Sequence, residues 1–426
     1  MKTKMTGMLS LILAAVMLMG AILPMAGCAV KVNAEELSAD YTRKTTETGE
    51  VTDAFVAAMA DFSMTLFNTT VAADKKEGKD NHLVSPLSAM ICLAMIANGA
   101  KGETLSQMEA ALGMDIQSLN KALYAYTSNL YTDEKCKVSI ADSIWYRDGN
   151  EKLVIKEAFL QTCADWYEAQ QYKAPFDEKT RQDINNWVKK YTDGMIDKIL
   201  EEPIHPEIMM YVINALVFDA KWLVEYEKSD VKDRDFTSAN GQKIQLPTLH
   251  SEESVYLMPE NGQGFAKKYK GGAYSFVGLL PDEGVDVYDF AASLDGTAWT
   301  AMWSGKSYET VYVRFPEFTY DSTMDLTPVL QEMGMVDLFN ANADLTGLGS
   351  YDGASLICSG VYQKTFIEVN RHGTKAAAVT WGNMEGATAA PMEPKYVYLD
   401  RPFVYAIVDN ATGLPLFVGV VTVLGK

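Results

Sequence analysis

The chain has 426 residues, of which 48% are hydrophobic and 22% are charged, a composition typical of a globular protein and unlike a disordered, collagen-like or disulfide-framework protein. Its 37 Lys and Arg residues against 56 Asp and Glu residues give a formal charge of −19. A surface this acidic repels phosphate backbones and gains nothing from anionic lipid headgroups, which excludes electrostatic binding of DNA or RNA.

The start of the chain has the layout of an export signal. Two lysines precede an apolar run over residues 9–23, and small residues then lead to Cys28, as in bacterial lipoprotein signals. We expect residues 1–27 to be removed and Cys28 to be lipidated, which would give an exported cell-surface lipoprotein anchored to the membrane, or a secreted protein if the anchor is released. An uncleaved membrane anchor is the alternative, disfavoured by Pro24 and the shortness of the run.

The next segment, residues 28–51, is polar and rich in Thr, Glu and Lys. This composition predicts a solvated tether between lipid and folded domain, and a frayed N-terminal arm is a nearly equivalent interpretation. From residue 52 to 426 no Ser/Gly/Pro-rich linker, charge block or internal repeat divides the sequence. One large α+β domain is therefore the simplest organisation.

Two kinds of element can be predicted along this domain. Ser85 and Pro86 provide an N-cap and a first-turn proline for a helix that ends at Asn98-Gly99, and the helix is apolar nearly all round, which predicts a central, buried position. Strands are predicted at 311–318 and 361–370, the second with Gln363 on its apolar face. Two apolar runs, 403–408 and 414–423, predict a hairpin buried on both faces.

The residue types that usually carry catalysis show no recognisable arrangement. The four histidines are His82, His205, His250 and His372. They lack paired ligand spacing, and no nucleophile elbow, phosphate-binding loop or dinucleotide fingerprint occurs, so we expect no metal, no cofactor and no enzyme activity. The cysteines after the signal are Cys92, Cys136, Cys163 and Cys358. Buried thiols are the favoured interpretation, and disulfides stay open because the spacing reveals no pairing.

A connection of more than 30 residues separates the strand ending near Val369 from the hairpin starting at Phe403. Connections of this length in compact domains are usually functional or disordered. In its first part, small residues alternate with larger ones, so that a strand here would turn one small face inward. Those small residues are Thr374, Ala376, Ala378 and Thr380. An alanine-rich helix or flexible loop is the alternative, and local propensity favours it.

Motifs of one family are spread over residues 55–423. They are 81–88 (NHLVSPLS), 98–104 (NGAKGET), 184–188 (INNWV), 214–218 (NALVF) with Trp222, 315–318 (FPEF), 330–335 (LQEMGM) with Phe339, 364–370 (KTFIEVN), 373–374 (GT), 401–403 (RPF) and 416–419 (LFVG). In order and spacing they resemble the serpins, in which a mobile reactive loop is bait for a serine protease. The resemblance implies a single large domain with a main mixed β-sheet, further sheets, about eight or nine helices, and an exposed reactive loop at about 371–396.

The resemblance also implies a suicide mechanism, in which the protease is trapped as an acyl-enzyme while the cleaved loop inserts into the main sheet. The hinge of the loop would be Gly373, Thr374, Ala376, Ala378 and Thr380. The sheet-opening cluster would be Ser85, Ser88, Asn214 and Gln363, and Trp222 would lie beside the point of insertion. Arg371 and Lys375 replace acidic residues common in the family, and Gln363 stands where a histidine often occurs, so we expect a retuned opening.

Counting from Gly373 with the family's spacing puts the reactive bond between Ala387 and Thr388, with Ala389 and Ala390 as alternatives and Met384 as a minor one. Small residues suit the shallow primary pocket of elastase-like or subtilisin-like serine proteases. We expect a monomer with such proteases as partners. A non-inhibitory serpin acting as a surface binding module is the alternative, and the absence of bulky, charged or proline residues on the inserting face from 374 to 380 argues against it.

Overall fold

A computed structural model describes residues 31–374 and 393–425. Over these residues the chain forms one α+β domain with nine α-helices, as predicted. The helices are α1 (Asp53–Glu77), α2 (Pro86–Ala97), α3 (Gly102–Leu112), α4 (Ile116–Ser128), α5 (Glu157–Tyr167), α6 (Glu178–Tyr191), α7 (Val287–Ala292), α8 (Gly296–Ser304) and α9 (Thr327–Glu332). Although α1 is long and apolar enough to cross a membrane, 56% of its most apolar window is buried inside the fold, so it is a core helix here.

The strands fall into four sheets. In chain order they are β1 (Glu35–Glu36), β2 (His82–Val84), β3 (Cys136–Arg147), β4 (Leu153–Ile155), β5 (Gln170–Ala174), β6 (Met210–Lys221), β7 (Val231–Thr237), β8 (Lys243–Leu257), β9 (Gly262–Lys268), β10 (Tyr274–Pro281), β11 (Ser307–Pro316), β12 (Phe318–Asp325), β13 (Gly349–Tyr351), β14 (Ala354–Ser355), β15 (Tyr362–Val369), β16 (Gly373–Thr374), β17 (Lys395–Tyr398), β18 (Phe403–Asp409) and β19 (Pro415–Val421).

Two of these four sheets together make up the main sheet, and we treat them as its two halves. One half has the order β1-β5-β3-β6-β16 and the other is the pair β12-β15. We call them the β6 half and the β15 half, and the space between β6 and β15 the slot. The β6 half is mixed, because β3 and β5 are parallel and the other pairs antiparallel. Among the described residues β6 and β15 are not paired with each other.

A second sheet of nine strands has the order β17-β11-β8-β9-β10-β18-β19-β2, with β7 beside β8. The hairpin β18–β19 is buried along its whole length, which confirms the prediction from its two apolar runs. Helix α2 lies between this hairpin and β6, and all of its residues are buried, as its apolar sequence predicted. The four cysteines of the described region are free and buried, in agreement with the interpretation as core thiols.

The segment ahead of α1 packs on the domain instead of forming the solvated tether expected from its composition. Strand β1 adds to the edge strand β5, with Glu35 opposite Lys173. Farther along, the guanidinium of Arg43 lies 3.7 Å from the ring centre of Tyr124, and Asp165 on α5 accepts backbone N–H groups from the same segment. These contacts lie more than 70 residues apart in sequence, so local composition could not reveal them.

Candidate functional site

The start of the long connection lies in the slot. After β15 ends at Val369 the chain makes a tight turn, closed by an antiparallel bridge between Asn370 and Gly373. Strand β16 then runs antiparallel to β6, with Gly373 opposite Lys221 and Thr374 opposite Ala220. The first two hinge residues therefore already form a strand against the β6 half.

Gly373 is required by this close approach. A Cβ at this position would lie 2.1 Å from the carbonyl oxygen of Ala220 and 2.7 Å from the Cα of Lys221. The φ of Gly373 is 155°, a value that residues with a side chain rarely adopt. Any larger residue would push the hinge away from β6.

The side chain of Thr374 is fixed by an aromatic pair. Its hydroxyl lies 2.6 Å from the hydroxyl of Tyr269 in a buried hydrogen bond. The ring of Tyr269 stacks on Trp222 with centres 4.6 Å apart. Burial raises the pKa of Tyr269 far above its usual value, so its hydroxyl stays protonated and able to donate. Thr374, near the start of the hinge, thus rests on the stacked rings of Tyr269 and Trp222, which we call the platform. It makes one hydrogen bond with them, to the Tyr269 hydroxyl.

Trp222, which the resemblance placed beside the point of insertion, contacts the turn that leads into the slot. Its indole Nε1–H donates to the carbonyl of Asn370 at 2.8 Å, and its backbone N–H donates to the carbonyl of His372 at 3.1 Å. Tyr226 supplies a third contact, because its backbone N–H donates to the carbonyl of Arg371 at 3.0 Å. The turn is therefore held mainly through its backbone, which tolerates changes of side chain.

The two basic residues of the turn have acidic neighbours. The backbone N–H of Arg371 donates to Glu317 Oε1 at 2.7 Å, and its guanidinium Nε donates to His372 Nε2 at 3.0 Å. His372 Nδ1 in turn lies 3.3 Å from Glu225 Oε2. The turn that contains Arg371 is therefore bordered by two carboxylates, Glu317 between β11 and β12 and Glu225 in the connection after β6.

A buried ion pair supports the same platform. Lys267 Nζ lies 2.7 Å from Glu253 Oε1, and the Lys267 side chain is 3% exposed. The ammonium also lies 4.5 Å from the ring centre of Tyr226 and 5.4 Å from that of Trp222. A buried ammonium needs such partners, because an unpaired charge in this position would be strongly unfavourable.

The sheet-opening cluster comes together beneath the slot, but as two separate pairs. On the β6 side, the hydroxyl of Ser88 donates to Asn214 Oδ1. Asn214 Nδ2 donates to Asp142 Oδ1 on the neighbouring strand β3 at 2.9 Å. All three residues are buried, so these polar groups satisfy one another away from water.

On the β15 side, Gln363 binds the backbone of Ser85 with both ends of its amide. The Ser85 N–H donates to Gln363 Oε1 at 3.0 Å, and Gln363 Nε2 donates to the Ser85 carbonyl at 3.0 Å. The Ser85 hydroxyl donates to Leu416 O at 2.9 Å rather than capping α2, which corrects the sequence interpretation of its side chain as an N-cap. Glutamine thus provides both a donor and an acceptor where the family often has histidine.

Asp142 is an acid bound to Asn214 of this cluster. Burial raises its pKa from 3.8 to about 7, and the hydrogen bond from Asn214 opposes that shift. Asp142 also lines a cavity of about 450 Å³ between β3, α4 and α5. The β6 side of the slot therefore contains a group that titrates near neutral pH, and the Ser85–Gln363 pair contains none.

Several predicted site residues lie outside the described residues. They are Cys28, Ala376, Ala378, Thr380, Met384, Ala387, Thr388, Ala389 and Ala390. Three residues that sequence reasoning missed are Tyr269, Glu317 and Asp142, which contact the hinge, the turn and the cluster. Only the motif 315–318 gave a local signal, since it contains Glu317.

Comparisons with known proteins agree with this geometry. A family model described as "Serpin (serine protease inhibitor)" matches residues 57–423. Serpin B8 of Bos taurus is 28% identical over 382 residues, 86% of this chain and 98% of that protein, and Iripin-8 of Ixodes ricinus is 27% identical over 81% of this chain and 89% of its own. The native-state crystal structure of the thermophilic serpin tengpin has a TM-score of 0.85 and 42% identity, covering 92% of this chain and all of that one.

Proposed function

The chain belongs to the serpin family of serine protease inhibitors, and we propose that it traps its target by a suicide mechanism. In this mechanism the protease cleaves the reactive loop and is held as an acyl-enzyme while the loop inserts between β6 and β15. The observation that carries the proposal is the antiparallel pairing of Gly373 and Thr374 with β6. Two residues of the inserting strand already occupy the register from which the rest can continue.

The register of this pairing predicts how far insertion runs. Moving six residues along both strands from the Thr374–Ala220 pair brings Thr380 opposite Asn214, and moving ten brings Met384 opposite Met210. Met210 is the first residue of β6, a strand of 12 residues. An inserted strand ending near Met384 would therefore pair with the whole of β6 and leave the bond at Ala387 just beyond its end.

The same register explains the pattern of small residues. Residues directly opposite each other in an antiparallel pair point to the same face. The β6 residues opposite Thr374, Ala376 and Ala378 belong to the main core, and the one opposite Thr380 is Asn214 of the sheet-opening cluster. Small side chains on this face can pass over a packed core, whereas large or charged ones would obstruct insertion.

Two larger residues of the loop, Lys375 and Trp381, fit the outer face. Continuing the register places Lys375 opposite Asp219, where opposite charges across strands are favourable, and Trp381 opposite Ile213. Ile213 belongs to an apolar cluster with Trp187 of α6 on the outer side of the sheet. These larger residues would therefore lie away from the main core.

The roughly 14 residues from Thr374 to the bond at Ala387, at roughly 3.3 Å each, would carry the protease on the order of 45 Å along the sheet. Such a displacement needs a native state that is less stable than the inserted state and is held kinetically until cleavage. The small residues from Ala387 to Ala390 favour proteases with a shallow primary pocket, namely elastase-like or subtilisin-like enzymes.

The test is to mix the chain from residue 29 onward, which retains every described residue, with an elastase-like and a subtilisin-like protease. A covalent band near the summed masses on a denaturing gel, with a released peptide starting between Thr388 and Met392, is the expected result. Cleavage of the loop by both enzymes and by a chymotrypsin-like enzyme without any adduct would contradict the proposal and leave a substrate or binding module.

We also propose that the protein is exported and anchored through a lipid on Cys28. The supporting features are the apolar run at 9–23 and the small residues before Cys28. In a bacterial host, the full-length chain should partition with membranes and Cys28→Ser should not be processed. Equal membrane partition and processing of both proteins would overturn lipidation.

A further inference from the structure

The outer side of the nine-stranded sheet carries an unusual group of exposed tyrosines where the reactive loop rejoins the fold. Tyr312 on β11 and Tyr396 on β17 are 39% and 53% exposed. They are opposite each other in a parallel pair, and their rings stack with centres 5.5 Å apart. Tyr398 meets Tyr396 edge-on at 6.0 Å. We call Tyr312, Tyr396 and Tyr398 the tyrosine face.

The tyrosine face is not needed to build the sheet. The alternate residues Val311, Val313 and Val397 point to the other side and are buried in the core. On the outer side the tyrosines border a groove of about 510 Å³ that also includes His250 and Glu252. Exposed stacked rings around a groove are a feature of contact surfaces, where tyrosine gives a large contact area at low entropic cost.

The chemistry of this face favours a cationic contact. Arg314 of this chain lines the same groove, and its guanidinium carbon lies 4.0 Å from the ring centre of Tyr398, so a ring face here already takes a cation. The face of the Tyr312–Tyr396 pair is open to solvent, and Glu252 lies opposite Tyr312 in the ladder between β8 and β11. A guanidinium or ammonium from a partner would gain both the ring faces and a carboxylate.

The position of the face identifies its partner. Strand β17 starts at Lys395, eight residues after the bond expected at 387–388. Eight extended residues span at most about 28 Å. A protease domain of about 220 residues has a radius of gyration near 17 Å, so an enzyme bound at that bond comes within reach of the tyrosine face.

From this continuity we propose that the tyrosine face is a second contact surface for the body of the target protease, which binds the Tyr312–Tyr396 pair through a lysine or arginine beside its catalytic cleft. The inference rests on the proposed function, because the reactive loop brings that partner. The tyrosine face affects the initial binding of the protease and not loop insertion, since it lies outside the main sheet. Electrostatic complementarity of this kind mainly raises association rates.

The experiment compares the chain from residue 29 onward with the double variant Tyr312→Ala/Tyr396→Ala, against a protease that the parent inhibits. We expect the second-order rate constant of inhibition to fall about tenfold, with the stoichiometry of inhibition and the thermal midpoint unchanged. The double variant Tyr312→Phe/Tyr396→Phe keeps the ring faces and should stay within about twofold of the parent. Val154→Ala, at a residue 56% exposed on the distant strand β4, is the control.

Three results would overturn the proposal. One is a rate for the double alanine variant as close to the parent as that of Val154→Ala. Another is a fall in rate accompanied by a higher stoichiometry or a lower midpoint, which would indicate a defect of insertion or folding. A third is that the parent is a dimer and the double alanine variant is a monomer with the same rate constant of inhibition. The face would then be an interface between copies of this chain.

Failure of the proposed function is recognised separately. If the parent is cleaved without forming an adduct, inhibition fails, but the rate constant of loop cleavage still reports the encounter. A tenfold fall in that rate constant for the alanine variant would support the tyrosine face without any inhibition. An unchanged cleavage rate constant would overturn it.

Discussion

The two halves of the main sheet hold the same helix in different ways. The β6 half is attached to α2 through Ser88 and Asn214, whose amide also binds Asp142. The β15 half is attached through Gln363, whose amide binds both the N–H and the carbonyl of Ser85. Both attachments lie under the slot, yet only the β6 half carries the start of the loop.

This difference indicates which of the two strands beside the slot, β6 or β15, sets the register of the inserting loop. Nearly all of β6 is buried, with one face in the main core and the other under α6, so it offers a rigid edge of 12 residues. Strand β15 has eight residues, and only alternate ones are buried. We infer that insertion follows the register of β6 and that β15 must adapt.

The largest effect is expected from a change that breaks the pairing with β6. Thr374→Arg puts a long charged side chain where a buried hydroxyl now meets Tyr269. Because burying an unpaired guanidinium is strongly unfavourable, the existing pairing of Thr374 with β6 should be lost and insertion should not continue from it. The loop should still be cleaved, so the protein should change from inhibitor to substrate, with the covalent band lost from a denaturing gel.

Thr374→Ser is the matched control, since it keeps the hydroxyl and the small volume, and it should retain the covalent band. Equal amounts of adduct from Thr374→Arg and Thr374→Ser would show that the β6 register is not used for insertion.

A smaller effect is expected from removing the contact between Gln363 of the β15 half and the Ser85 backbone. Gln363→Ala leaves the buried N–H and C=O of Ser85 without their side-chain partner. Unsatisfied buried groups cost about 1–3 kcal/mol each, so the uncleaved protein should lose roughly 3 kcal/mol, or about 5 °C in thermal midpoint. Ser85→Ala removes only the hydroxyl contact to Leu416 and should cost about 1 kcal/mol. If both variants melt at the parent temperature, the pair does not hold the β15 half.

The sequence predicted the elements of this site better than their connections. Helix α2, the buried face of β15 and the β18–β19 hairpin follow from local periodicity. The cluster was identified by resemblance, but its division into two pairs depends on partners such as Gln363 and Ser85 that are 278 residues apart. Contacts at that separation leave no local pattern.

Other parts of the site had no sequence signal. Tyr269 lies one residue beyond the end of β9, and only the fold brings its hydroxyl to Thr374. The segment containing Arg43 is composed like a tether, because few of its residues are apolar, and it is held by rings of α4 and α5 and by the Asp165 carbonyl. Polar segments that bind through their backbone are therefore easily misread as solvated.

The last expected effect is a dependence on pH that the β6 half contributes through Asp142. Burial raises the pKa of Asp142 from 3.8 to about 7. Between these pH values its carboxyl is protonated in the folded protein but ionised in the unfolded chain. Stability should therefore fall as pH rises from about 4 to about 7 and level off above that range. Asp142→Asn removes this group while keeping its shape, and it should be more stable than the parent at pH 8.

The comparison is made by measuring thermal midpoints at pH 4.5 and pH 8 for the parent, for Asp142→Asn and for Asp321→Asn, which changes an exposed carboxylate on β12 of the other half. We expect the Asp142→Asn gain at pH 8 to vanish at pH 4.5, and Asp321→Asn to follow the parent at both values. A gain of the same size at both pH values would mean that packing, and not ionisation, distinguishes the two halves, because an amide and a protonated carboxyl make similar contacts with Asn214.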